Sequence, residues 1–109
     1  MKSRIEIQKR CNTAEERLNN LEVKTTEDKY YELSYIINIK TLNSILDENK
    51  DEAKVSAELD KVKAKVYRLQ KSGNQLEILK NNLEMRTYNW VLNDSNNVEI
   101  EWVPLKFKK

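Results

Sequence analysis

Lys71-Ser72-Gly73-Asn74-Gln75-Leu76-Glu77 (KSGNQLE, residues 71–77) contains the only glycine in a chain of 109 residues. Whether the backbone turns here or runs straight through decides how many helices the protein has. A line of apolar residues crosses the stretch at every seventh position: Val55, Val62, Leu69, Leu76, Leu83 and Trp90. Its companions change side on the way. Leu59 and Val66 lie three residues before members of the line, whereas Leu79 lies three residues after one, and Gly73 and Lys80 hold the positions that would have continued the first pattern. If Gly73 ends one helix, Asn74 caps the next, with Glu77 at the capping-box position. That gives four helices of similar length in an up-down bundle. If the chain runs through, one helix of roughly 40 residues spans about 60 Å, and Gly73 costs it only about 1 kcal/mol relative to Ala. A turn has no reason to preserve a seven-residue register. The unbroken line therefore favours a continuous or slightly kinked last helix over about residues 52–93.

Upstream, two shorter helices are expected. Ser3 with Glu6 resembles a capping box, and Ile7, Cys11, Ala14, Leu18 and Leu21 step by four and three in a coiled-coil seam, so the first helix covers about residues 4–23. It fades at Lys24-Thr25-Thr26. A second helix follows over about residues 27–48, capped by Thr25 or Thr26, with Glu27 and Asp28 at the positive end of its dipole. Tyr35, Ile39, Leu42 and Leu46 form its stripe, widened by Tyr30, Leu33, Ile36, Ile37 and Ile45. This widest apolar face belongs at the centre of the core. In DENKDE (residues 47–52), Asn49 suits a left-handed turn and Asp51 a new N-cap. So short a connection makes the second and third helices antiparallel.

Downstream of Asn93 the pattern changes. DSNN (residues 94–97) is a turn cluster. Val98, Ile100 and Trp102 then alternate with Glu99 and Glu101, which is the period of a half-buried strand, until Pro104 interrupts it. No second strand is evident in the sequence. The arm is expected either to fold back on its own bundle or to pair with another chain, with Val98, Ile100, Trp102 and Phe107 as partner-binding candidates.

Composition narrows the function classes. Charged residues make up 35% of the chain, Gly and Pro occur once each, and the net charge is +2. Turn-poor, charge-rich sequences of this kind are amphipathic helices or coiled coils. With no His and a single Cys on the seam of its helix, there is no evident general base, nucleophile or metal set, and a lone glycine cannot build a phosphate-cradling loop. Asp47, Glu48, Asp51 and Glu52 lack the ligand spacing of a calcium loop. No enzyme activity and no cofactor are expected. Lys54, Lys61, Lys65 and Arg68 share one face of the last helix and are candidates for nucleic-acid contact, although Glu58 interrupts them. Tyr30 and Tyr31 are adjacent, so at least one points away from the core and is a candidate partner contact. Tyr, Arg, Lys and Asn between helices also suit a nucleotide.

LEMRTYNWVLND (residues 83–94) resembles the endings of small helical proteins of Gram-positive bacteriophages, through Leu83, Trp90, Val91 and Leu92. The resemblance covers the last helix and, loosely, the charged pattern of the first. The strand-like tail departs from it. It implies a phage setting and a protein that acts by binding, for example by blocking a host defence or transcription complex. The expectation is therefore a mainly α chain, an antiparallel hairpin or bundle of three to four helices with the last one long. Residues 1–93 form the helical domain and residues 94–109 a turn and a short C-terminal β-arm. The expected protein is a cytoplasmic homodimer or higher oligomer with no membrane segment, and it inhibits or adapts a host protein complex. Sequestering a nucleotide signal, binding nucleic acid, and assembling a virion are the alternatives.

Overall fold

The structure, a computed structural model, describes residues 1–93. These form four helices: α1 (Arg4–Asn20), α2 (Thr26–Asp47), α3 (Glu52–Leu69) and α4 (Gln75–Leu92). The expected long last helix is thus two helices. Gly73 sits at φ +71°, in the left-handed region that closes helices. Before it, the N–H groups of Lys71 and Ser72 turn back to the carbonyls of Arg68 and Leu69 (3.2 and 3.0 Å), and Ser72 Oγ also donates to the Leu69 carbonyl at 2.7 Å. After it, Asn74 Oδ1 accepts from the Glu77 N–H at 3.2 Å. These bonds occupy backbone groups that a helix end would otherwise leave bare. The seven-residue line was a coincidence of register, and Leu76, one of its members, is 55% exposed. The strand-like arm at 98–103, with Val98, Ile100, Trp102 and Phe107, lies outside the described residues.

Local signals elsewhere were sufficient. Ser3 and Thr25 each build a reciprocal capping box, with Glu6 and Asp28 respectively. Asp51 caps α3 through the Lys54 N–H at 2.8 Å, and Asn49 turns the chain between α2 and α3 at φ +50°.

The chain makes two helical hairpins, α1 on α2 and α3 on α4, which dock chiefly through α2 and α4. The chain's N-terminus gathers one end of this assembly. The Met1 amino group lies 3.9 Å from the Glu52 carboxylate, the Lys2 N–H donates to the Val91 carbonyl at 2.6 Å, and Arg4 donates to Asn49 Oδ1 (2.8 Å) and to the Leu46 carbonyl (3.1 Å). The starts of α1 and α3 and the ends of α2 and α4 therefore meet here, so the order is up-down-up-down. The two hairpin connections lie at the opposite end.

The apolar core is weighted towards the gathered end. Ile7 and Cys11 of α1, Leu42, Ile45 and Leu46 of α2, and Tyr88 and Val91 of α4 pack with Val55, Leu59, Val62 and Val66 of α3. Each fully buried aliphatic side chain here contributes about 1.5–3 kcal/mol. Trp90 borders this core with two cations near its ring, Lys2 Nζ at 5.5 Å and the Arg10 guanidinium at 5.6 Å.

α2 is central, as its width predicts, but its buried face is not the one the apolar pattern draws. Ile36 is 45% exposed, whereas Ser34, Asn38 and Thr41 are buried. The cause is that α2 packs on α1 and α4 at once, so the covered arc includes residues between the apolar ones. On α4 the partners are polar as well: Thr87 Oγ1 accepts from Asn38 Nδ2 at 2.9 Å and donates to the Leu83 carbonyl at 3.0 Å. The two hairpins thus meet partly through a polar seam.

Candidate functional site

Above the apolar core, towards the hairpin connections, the polar seam opens into a cleft of about 280 Å³ between α2, α3 and α4. Lys40, Thr41 and Ser44 come from α2, Lys65 from α3, and Lys80, Asn81 and Tyr88 from α4, together with Glu77 and Glu84. Ile37 is the only lining residue without a polar side-chain atom. Helix geometry explains the convergence. Lys40 and Ser44 are one turn apart on α2, and Glu77, Lys80, Asn81, Glu84 and Tyr88 recur at three- and four-residue steps on one face of α4.

The charges are unequally committed. Lys80 pairs with Glu77 at 3.6 Å. Burial, followed by the nearby Glu84 charge, pushes the Tyr88 phenol far up. Asn81 Nδ2 donates to the Glu77 carbonyl at 2.7 Å, and Ser44 Oγ accepts from Lys50 Nζ at 3.0 Å. Lys40 and Lys65 make no hydrogen bond or ion pair among the described residues. Of the lysines in this cleft, only Lys65 was singled out as a candidate from sequence. Lys80 carried a signal, since it stands where the seam of the preceding segment would have placed an apolar residue.

The remaining candidates are dispersed. Lys54, Lys61 and Arg68 are exposed along α3, and Lys61 lies 3.8 Å from Glu58; Lys65 of that stripe lines the cleft. Tyr30 is buried, and Tyr31 stands edge-on to it at 6.2 Å and stacks on Tyr35 at 6.3 Å. The three rings cover the start of α2, and partial burial, then Glu27, raises the pKa of Tyr31. Asp28 beside them is held below the usual carboxylate range, chiefly by the Lys24 N–H, with which it bonds at 3.0 Å.

At the tip of the second hairpin, Tyr67 (64% exposed) and Leu76 flank the Gln70–Asn74 connection, and Lys71 Nζ lies 5.4 Å from the Tyr67 ring. Val23, in the connection of the other hairpin, is also exposed. The seven-residue line hides this apolar tip from sequence reasoning, because it runs through Leu76 as if the helix were continuous.

Comparison with known protein families, curated proteins and solved structures found no match.

Cys11 is not an activated thiol. It is fully buried, its Sγ donates to Asn43 Oδ1 at 3.3 Å, and burial, then the Glu15 charge, pushes its pKa up to about 11. A thiol so placed stays protonated at neutral pH. Among the described residues no group of three or more Cys, Asp or Glu is arranged to hold a metal ion, and no helix is long and apolar enough to cross a membrane. In the acidic connection, Asp51 is occupied as an N-cap and Glu48 lies 3.1 Å from Lys50 Nζ.

Proposed function

We propose that this chain is a non-catalytic interaction protein that binds a protein complex and inhibits or adapts it, in keeping with a phage product acting inside a bacterial cell. The observation that carries the proposal is the exposed tip of the α3–α4 hairpin, where Tyr67 and Leu76 stand in solvent on either side of a well-capped turn. An exposed tyrosine is the kind of side chain that anchors a binding hot spot, the exposed leucine adds apolar area, and the well-capped turn reduces the entropy lost on docking. Cys11 supports a non-catalytic role, being buried and protonated at neutral pH. The stripe of Lys54, Lys61, Lys65 and Arg68 is exposed along α3, but Glu58 lies within it, 3.8 Å from Lys61, which weakens the case for nucleic-acid binding.

The test compares the wild-type chain with Tyr67→Ser/Leu76→Ser in capture from a bacterial lysate. Wild type should retain one protein in stoichiometric amount and the double variant should lose it, with both chains melting alike. Identical recovery by the two chains would refute the tip as the docking surface.

A further inference from the structure

The cleft between α2, α3 and α4 is separate from the hairpin tip and has its own chemistry. Its volume, about 280 Å³, falls just below the range of roughly 300–1,000 Å³ usual for small-molecule sites. It therefore suits a compact ligand. Of its two carboxylates, Glu77 is paired with Lys80, and three lysines against two glutamates leave the lining with a net positive charge. The two ammonium groups left without a partner among the described residues, those of Lys40 and Lys65, enter from different helices. Thr41 at the cleft is buried, and Asn38, one turn before it on α2, is only 2% exposed and has a side-chain oxygen with no hydrogen-bond partner among the described residues. The cleft thus borders a polar interior along α2, while Tyr88 joins it to the apolar core.

We infer that this cleft binds a small phosphate-bearing molecule, with Lys40 and Lys65 holding its charge from opposite walls. Two cations fixed on separate helices suit a diphosphate, whose charge is spread over two centres. A monovalent anion would leave one ammonium unmatched. Asn81 and Tyr88 offer amide and aromatic surface for whatever the phosphate carries, so the same chemistry admits free pyrophosphate or a nucleoside diphosphate.

Pyrophosphate and adenosine diphosphate are the probes, titrated into the full chain and followed by calorimetry and by amide chemical shifts. Pyrophosphate should bind saturably and shift the amides of Thr41, Lys65 and Asn81. Lys40→Gln/Lys65→Gln should weaken it by about tenfold or more, whereas Lys54→Gln/Lys61→Gln, which removes the same charge from outside the cleft, should not. All four lysines are exposed or at the cleft mouth, so both variants should fold, and circular dichroism verifies this. Tighter binding of adenosine diphosphate would support a nucleoside diphosphate as the ligand, and equal binding the phosphate alone. Absence of saturable binding, or equal weakening in the two double variants, would overturn the inference.

Discussion

At Asn38 and Thr87 the two hairpins meet through a hydrogen bond where apolar packing would be the default. The Asn38 side chain is almost wholly buried, yet only its amide nitrogen is bonded, to Thr87 Oγ1 at 2.9 Å. Thr87→Val keeps the shape and removes that partner, leaving the whole Asn38 side chain unsatisfied. Urea unfolding should show a loss of about 1–3 kcal/mol. Adding Asn38→Leu should recover most of it, because removing both polar partners is far cheaper than removing one. Cys11 makes a pH prediction. Its folded pKa of about 11 lies above the ordinary thiol value of 9.0. The unfolded chain therefore loses the proton first as pH rises, and the thiol's contribution to stability, complete below 9, is lost between 9 and 11. Subtracting the stability-versus-pH curve of Cys11→Ala from that of wild type should isolate this fall. A flat difference over that window would contradict the burial of the thiol. Native Cys11 should also react with thiol reagents only as fast as the chain opens.

For the helices, Gly73 gives a test whose sign separates the two architectures. In a continuous helix, Gly73→Ala would stabilise by about 1 kcal/mol. At φ +71°, with nothing within 4 Å of an added Cβ, the substitution instead meets backbone strain alone and should destabilise by about 1–2 kcal/mol. Thermal or urea unfolding of this one variant decides between them. Caps and turns were legible because their causes are local: Ser3, Thr25, Asn49 and Asp51 each act within a few residues of themselves. The break at Gly73 was also written locally, in the sequence Gly73-Asn74 followed by Glu77. A longer-range regularity outweighed it, the seven-residue line, and Leu76 shows that the line marks no shared face. The cleft was the least legible part. Lys65 and Lys80 meet only when the α3–α4 hairpin closes, and only the docking of that hairpin on the other adds Lys40. The covered arc of α2 escaped for the same reason, since nothing in α2 says that it will have two neighbours.

In the whole molecule, two hairpins share one apolar core at one end and a polar seam and cleft towards the other. The gathered end should open last in hydrogen exchange and the hairpin connections first, because buried apolar contacts resist local opening most. The sequence beyond Asn93 adds a prediction of its own. Val98, Ile100 and Trp102 alternate with Glu99 and Glu101 in the sequence, and the expectation under test is that they pair with a second copy and do not fold back on their own bundle. The full chain should therefore have the solution mass of a dimer, while a chain ending at Asn93 should be a monomer with nearly unchanged melting. Two monomers of equal stability would remove the arm from any role in association.

The bond from the Lys2 N–H to the Val91 carbonyl also has a consequence for how the protein is made. Lys2 waits for a partner that leaves the ribosome 89 residues later. At about 5–20 residues per second, the gap is several seconds. The α1–α2 hairpin can form in that interval, but with the α4 side of its apolar surface bare. Closure is therefore a late event, and until then a nascent chain offers exposed Leu42 and Ile45 to any chaperone at the tunnel exit.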